Sequence, residues 1–213
     1  MNDDSFIFSE DGQEIFMKKD KPKFKQIIDA AVEVIAENGY HSSQVSKIAK
    51  KAGVADGTIY LYFKNKEDIL VSLFQEKMGQ FIERIEQETT SKQSAEEKLL
   101  TLIETHYEQL AADHHLAVVT QLELRQSNKD LRLKINQVLK RYLDVIDQIV
   151  EEGVEEKLFR SDLDRRLVRQ MIFGTMDETV TNWVMNEQRY NIADQAEEVH
   201  SLIIRGLTRN HSS

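Results

Sequence analysis

The 213-residue sequence contains no cysteine. That excludes disulfides, a thiolate nucleophile and thiolate-ligated metals. One proline and eight glycines are too little turn chemistry for a chain of many short strands, so an all-α fold is expected. No apolar run approaches the roughly 18 residues of a membrane-spanning helix. The first residues are acidic rather than a basic stretch leading into an apolar core, and no secretory signal is expected. His106 and the pair His114-His115 are the nearest approach to a histidine cluster, but adjacent positions on a helix diverge by about 100°. An HExxH motif, a pair of Glu-x-x-His motifs, a nucleophile elbow and a glycine-rich phosphate loop are all missing. The expectation is a cytoplasmic protein that is not an enzyme and uses no metal or cofactor.

What is present suits a folded chain: 40% of residues are hydrophobic and 31% charged, in a length that allows one large domain or two small ones sharing a core. The net charge of -9 is unevenly spread. Residues 18–68 hold ten lysines against seven acidic residues, whereas both flanks are acidic. A basic module in an acidic chain points to a polyanion that the module alone approaches.

Residues 1–17 are read as a disordered extension, acid-rich and without helical period, and Met17 is a second possible start. Over 23–38, Phe24, Ile27, Ile28, Ala31, Val34 and Ile35 recur at helical spacing. Pro22 falls near the first turn and Asn38-Gly39 marks the stop. Ser43 is placed as the cap of a second helix, whose Val45, Ile48, Ala49 and Ala52 share a face up to Gly53. A third helix follows at about 56–63. Asn65 is placed as the cap of a fourth, with Glu67 and Asp68 complementing its dipole. The pattern stays helical near 66–89, 94–112, 114–126, 129–156, 163–186 and 192–209, which makes a nine-helix bundle. The division expected is a basic N-terminal domain over 18–68 and a helical domain over 69–213.

Two short helices joined at Gly53, with a third in front, form a helix-turn-helix. Val54, Ile59 and Phe63 are expected to face inward. Ala55, Asp56, Gly57, Thr58, Leu61 and Tyr62 then lie at the start and outer face of the helix that enters a major groove. Tyr60 and Tyr62 present hydroxyls on rigid rings. Tyr62 is assigned to DNA, whereas Tyr60 is divided between DNA and core. Thr58 can donate to phosphate or touch a thymine methyl. Lys66 adds charge at a helix N-terminus, and Ser43, Gln44, Ser46 and Lys47 are placed against the neighbouring backbone. Asp56 either caps the third helix or reads a cytosine amino group.

The stretch "QVSKIAKKAGVADGTIYLYFKNKEDIL" (44–70) resembles the tetracycline-repressor (TetR) family of bacterial regulators. The likeness is carried by Ile48, Ala49, Ala52, Gly53, Val54, Gly57, Thr58, Tyr60, Tyr62, Phe63, Lys66 and Glu67. Ala55 stands where the family usually has serine, which removes one common phosphate donor. The resemblance implies a homodimer, paired through its last two helices, that reads a palindromic double-stranded operator with recognition helices roughly 34–36 Å apart. Met171, Thr175, Trp183, Leu202 and Ile203 are expected at that interface.

Further stretches, "MGQFIERIE", "AVVTQLELRQSN" and "RQMIFGTMDETVTNWVMN", resemble the fatty-acid-degradation regulators of bacilli within this family. That implies long-chain acyl-coenzyme A as effector. Arg125, Lys129, Arg132 and Arg169, beside apolar runs, suit an anionic head group on a greasy tail, and Phe173 and Asp177 are added as pocket residues. Asp177, with Glu178 and Thr181, either lines the pocket or bonds across the dimer, the latter slightly favoured. The alternative is a family member sensing another hydrophobic ligand or drug.

Overall fold

The structure is a computed structural model that describes residues 22–208; the expected extension over 1–17 lies outside the described residues. They form nine α-helices and no strand: α1 Pro22–Asn38, α2 Val45–Lys51, α3 Asp56–Ile59, α4 Lys66–Thr90, α5 Ala95–Ala112, α6 His114–Glu123, α7 Lys129–Glu155, α8 Arg165–Met185 and α9 Ala196–Leu207. A 3-10 turn, Ile192–Gln195, leads into α9. None of the described helices is long and apolar enough to cross a membrane.

The helix starts follow from local chemistry. The side chains of Asn65, Ser94, Asp113, Asn128 and Asp164 each accept from a backbone N–H in the first turn of α4 to α8 respectively, satisfying donors the helix leaves open. Ser43 departs from expectation. Gln44 holds the position before α2 and makes no side-chain cap. Ser43 is buried, and its hydroxyl donates back to Val34 O (3.1 Å) and Gly39 O (2.7 Å), tying the α1–α2 loop to α1. The third helix is also shorter than expected, ending at Ile59 and continuing as turns through Tyr62.

Helix ends show one recurring device. After α2, Gly53 N–H donates to Lys50 O and Val54 N–H to Ala49 O, with Gly53 at φ 61°, a Schellman cap. This cap is the turn of the helix-turn-helix. The same pattern closes α7 at Lys157 and α8 at Glu187, non-glycine residues at φ 62° and 58°.

Ile27, Ile28, Ile48, Ile59 and Phe63 form the N-terminal core, with the rings of Phe24 and Phe63 stacked at 5.2 Å. The core continues without a break into the C-terminal helices, where α4 packs on α5 and α7, α1 on α6, and α5 on α9. Lys98 pairs with Glu152 across α5 and α7, and that hydrogen bond holds the Glu152 carboxyl below the usual carboxylate range.

Phe159 packs on α7 at Gly153, where an added Cβ would sit 2.2 Å from the ring. Gly153→Ala must displace this buried ring. Overpacking of this kind costs about 1–3 kcal/mol, and chemical denaturation of the variant is expected to show a loss in that range.

Candidate nucleic-acid interface and ligand cavity

The N-terminal surface is set by two packing choices. Ile59 and Phe63 are buried, so the residues between and before them turn outward. Ala55, Asp56, Gly57, Tyr60 and Leu61 are exposed, as are Gln44, Ser46 and Lys47 on α2. Thr58 and Tyr62 are half-buried. Tyr60, divided between DNA and core, is 59% exposed, whereas Tyr62, assigned to DNA, is half-buried and packs against the core beside Phe63. Asp56 does not cap α3. Ala55 holds that position, and Asp56 is the first helical residue, where its charge complements the helix dipole. Ser43, expected at the DNA face, is too deeply buried to reach it.

Lys66 has a different setting from the one expected. Its ammonium donates to the carbonyls of Tyr40 (3.1 Å) and His41 (3.0 Å) and sits 4.6 Å from the centre of the Tyr40 ring. It fastens the α1–α2 loop to the start of α4. From the other side, the Glu123 carboxylate at the end of α6 accepts from the Tyr40 backbone N–H at 2.8 Å. Glu123 also holds the Gln126 side chain. Burial, with Glu67 and Glu123 nearby, raises the pKa of the Tyr40 phenol.

The second feature is a small cavity among α4, α5, α6, α7 and α8, with about 30 Å3 of free volume. That is room for about one water, short of the roughly 300–1,000 Å3 of an open ligand pocket, but the lining has the make-up of one, mostly apolar with a few placed polar groups, and a ligand enters by parting these side chains. Phe74, Met78, Phe81, Leu110, Leu124, Leu139 and Phe173 supply the apolar wall, and His106, Thr120, Gln121, Tyr142 and Asp177 the polar one. Asp177 is buried and forms an ion pair with exposed Arg125, which marks where the cavity meets the surface. The Gln121 carboxamide meets the Thr181 hydroxyl at 2.8 Å. With its nitrogen facing α8 it also donates to Asp177 Oδ1 at 3.1 Å. Asp177 and Thr181 are thus engaged inside one chain, not across a dimer. Tyr142 stacks edge-on against Phe173 at 5.9 Å and Phe81 against His106 at 5.2 Å.

Of the expected ligand residues, the structure brings Phe173, Asp177 and Arg125 together. The other three lie elsewhere. Arg132 donates to the carbonyls of Gln126 (2.9 Å) and Ser127 (3.3 Å), closing the α6–α7 loop. Arg169 pairs with Asp147 on α7, and Lys129 is exposed at the first position of that helix. None of the three lines the cavity. Sequence reading missed His106 and Tyr142. The signal for His106 was a lone imidazole on the apolar face of α5, among Leu99, Leu102, Ile103 and Leu110.

The expected dimer residues divide in the same way. Met171 and Leu202 are exposed, together with Leu167. Thr175 is partly exposed and lines an open concavity on α8 with Met171, Gly174 and Asn182. Trp183 and Ile203 are buried within the single chain and cannot meet a partner. Trp183 donates to Tyr190 O at 2.6 Å and packs on the edge of His114. Both helices carry apolar residues on more than one face, and the inward face took these two.

A helix-turn-helix on a helical bundle with an internal cavity is the architecture of a ligand-responsive transcriptional regulator. Residues 27–73 match the family model of bacterial regulatory proteins of the tetR family. Residues 74–206 match that of the YsiA-like protein C-terminal region. The chain belongs to the tetR family. It is 63% identical over 191 residues to the fatty acid metabolism regulator protein of Bacillus subtilis, spanning 90% of this chain and 98% of that one. Among solved structures it is similar to the transcriptional regulator FadR from Bacillus subtilis in complex with stearoyl-CoA, at 64% identity and a TM-score of 0.84, covering 86% of this chain and 99% of that one. The fatty acid degradation regulator FadR from Bacillus halodurans matches at 61% identity and the same TM-score and coverage. These relatives are regulators, not enzymes.

Burial pushes the His106 imidazole from its ordinary 6.5 down to about 3. The unfolded chain therefore binds more protons between these values, so stability present above pH 6.5 is lost as pH falls toward 3. Between pH 7 and pH 5 the wild type is expected to lose about 2 kcal/mol more than His106→Phe, measured by denaturation at each pH.

Proposed function

We propose that this chain is a cytoplasmic repressor of fatty-acid degradation genes. As a homodimer it holds a palindromic operator, and long-chain acyl-coenzyme A releases it. The N-terminal residues, up to about 68, meet DNA through Tyr60, Leu61, Gly57, Ala55 and Thr58 in the groove. Gln44, Ser46 and Lys47 lie along the backbone, and Lys66 positions the loop rather than contacting phosphate. The acyl chain occupies the cavity. The coenzyme A phosphates meet Arg125 at its mouth, with Lys129 on the adjoining end of α7. Leu167, Met171, Thr175 and Leu202 face the partner.

The observation that carries the mechanism is the double duty of α6. Thr120 and Gln121 within it, and Leu124 at its end, line the cavity, while Glu123 grips the Tyr40 backbone. A ligand that pushes Leu124 outward moves Glu123, and with it the loop that precedes α2. The recognition helix then shifts. Operator and ligand exclude each other when they prefer different positions of α6, and reciprocity of binding energies makes the effect mutual. The apolar wall supplies the ligand's affinity: each buried CH₂ contributes about 0.8 kcal/mol before the costs of binding.

Titration of protein-bound labelled operator with stearoyl-CoA is expected to release the DNA. Operator still bound at saturating ligand would overturn the reading. Glu123→Gln weakens the grip on Tyr40 without changing its size. It is expected to raise the stearoyl-CoA concentration needed for release by at least about fivefold, the lower end of common coupling energies. Direct measurement of ligand affinity in the absence of DNA separates lost coupling from lost binding.

A further inference from the structure

The polar groups of the cavity are paired, with one exception. Thr120 Oγ1 donates to Ala117 O at 3.0 Å, Gln121 meets Thr181, and Asp177 pairs with Arg125. The Tyr142 hydroxyl lies 2.9 Å from His106 Nδ1. Among the described residues, His106 Nε2 is the buried polar side-chain atom of the cavity wall with no hydrogen-bond partner. A buried polar group without a partner is costly, and native structures keep few of them.

The identity of the missing partner follows from the proton count. If the Tyr142 hydroxyl donates to Nδ1, then Nε2 carries the ring hydrogen and one donor is left open. In the opposite tautomer both the Tyr142 hydrogen and the Nε2 lone pair lack partners. The first arrangement leaves fewer groups unsatisfied, so Nε2 is a donor. Burial holds the ring neutral at physiological pH. A neutral N–H in an apolar wall suits a neutral oxygen acceptor, and the Asp177 carboxylate on the same wall disfavours an anionic one. A ligand that enters tail first and leaves its phosphates at Arg125 brings its acyl thioester carbonyl into the cavity ahead of the hydroxyl and amide oxygens of the pantetheine arm.

We propose that His106 Nε2 donates to the thioester carbonyl of the bound acyl ligand, so that the protein distinguishes a thioester from an equally long chain without that oxygen. This rests on the acyl-coenzyme A reading above. Calorimetric titration of the full chain with palmitoyl-CoA and with S-hexadecyl-CoA, the thioether that lacks only the carbonyl oxygen, tests it. The wild type is expected to bind the thioester roughly tenfold more tightly. His106→Phe is expected to bring the ratio near one, and His106→Gln, which keeps an amide donor, to restore part of it. Equal affinities in the wild type, or a ratio that survives in His106→Phe, would overturn the inference while leaving the acyl-coenzyme A reading intact. Failure of both ligands to bind would overturn both. The wild-type comparison stands even if a variant fails to fold.

Discussion

One peptide segment, Gly39 to His41, holds the DNA-facing module to the rest of the chain. Its Tyr40 N–H is taken by Glu123, its Tyr40 and His41 carbonyls by Lys66, and the Tyr40 ring lies under the same ammonium. Ser43 ties the following residues back to α1. Backbone groups in a tight loop need partners when helices close around them, and here those partners come from α4 and α6, two of the five helices that wall the cavity. The orientation of α2 and α3 is therefore set by elements a ligand can touch.

The cations of the C-terminal region are mostly bound by the protein itself. Arg132 is committed to loop carbonyls, Arg169 to Asp147 and Arg125 to Asp177. An anionic ligand thus meets a surface whose charges must be drawn from existing partners. For Arg125 that partner is buried. Removing its cation leaves a carboxylate inside an apolar wall, held by Gln121 alone, and uncompensated buried charge is costly. Ligand entry and the electrostatics of α8 are linked through that one residue.

Much of the architecture was legible in the chain because its cues are local. Asn65 before Glu67 and Asp68 marks the start of α4, Gly53 after a small-residue face marks the turn, and the spacing of Phe24 to Ile35 sets the buried side of α1. Each depends on residues within a turn or two of one another. The cavity was not legible, because its wall draws single residues from five helices, and no local pattern encodes which of them converge. The division of α8 failed for a related reason. Trp183 and Ile203 read as interface residues because apolar residues occur all around these helices, and only the packing of α8 and α9 on their neighbours decides which side stays outside. Ser43 shows the reverse case: a residue with the right chemistry for a cap was drawn instead to the carbonyls of Val34 in α1 and Gly39 in the loop.

The loop after α7 has a mechanical consequence. Phe159 is pressed onto α7 at Gly153, and the next residue, Arg160, donates its backbone N–H to Leu207 O at the end of α9 (2.9 Å). The loop leading into α8 is thereby pinned at once to α7 and to the last turn of α9. In the proposed dimer built on α8 and α9, these two contacts couple the mating surface to α7, the helix that carries Leu139 and Tyr142 into the cavity wall. A tilt of α7 on ligand entry would thereby reach the mating surface and turn each protomer about the twofold axis, changing the distance between the two groove-reading ends.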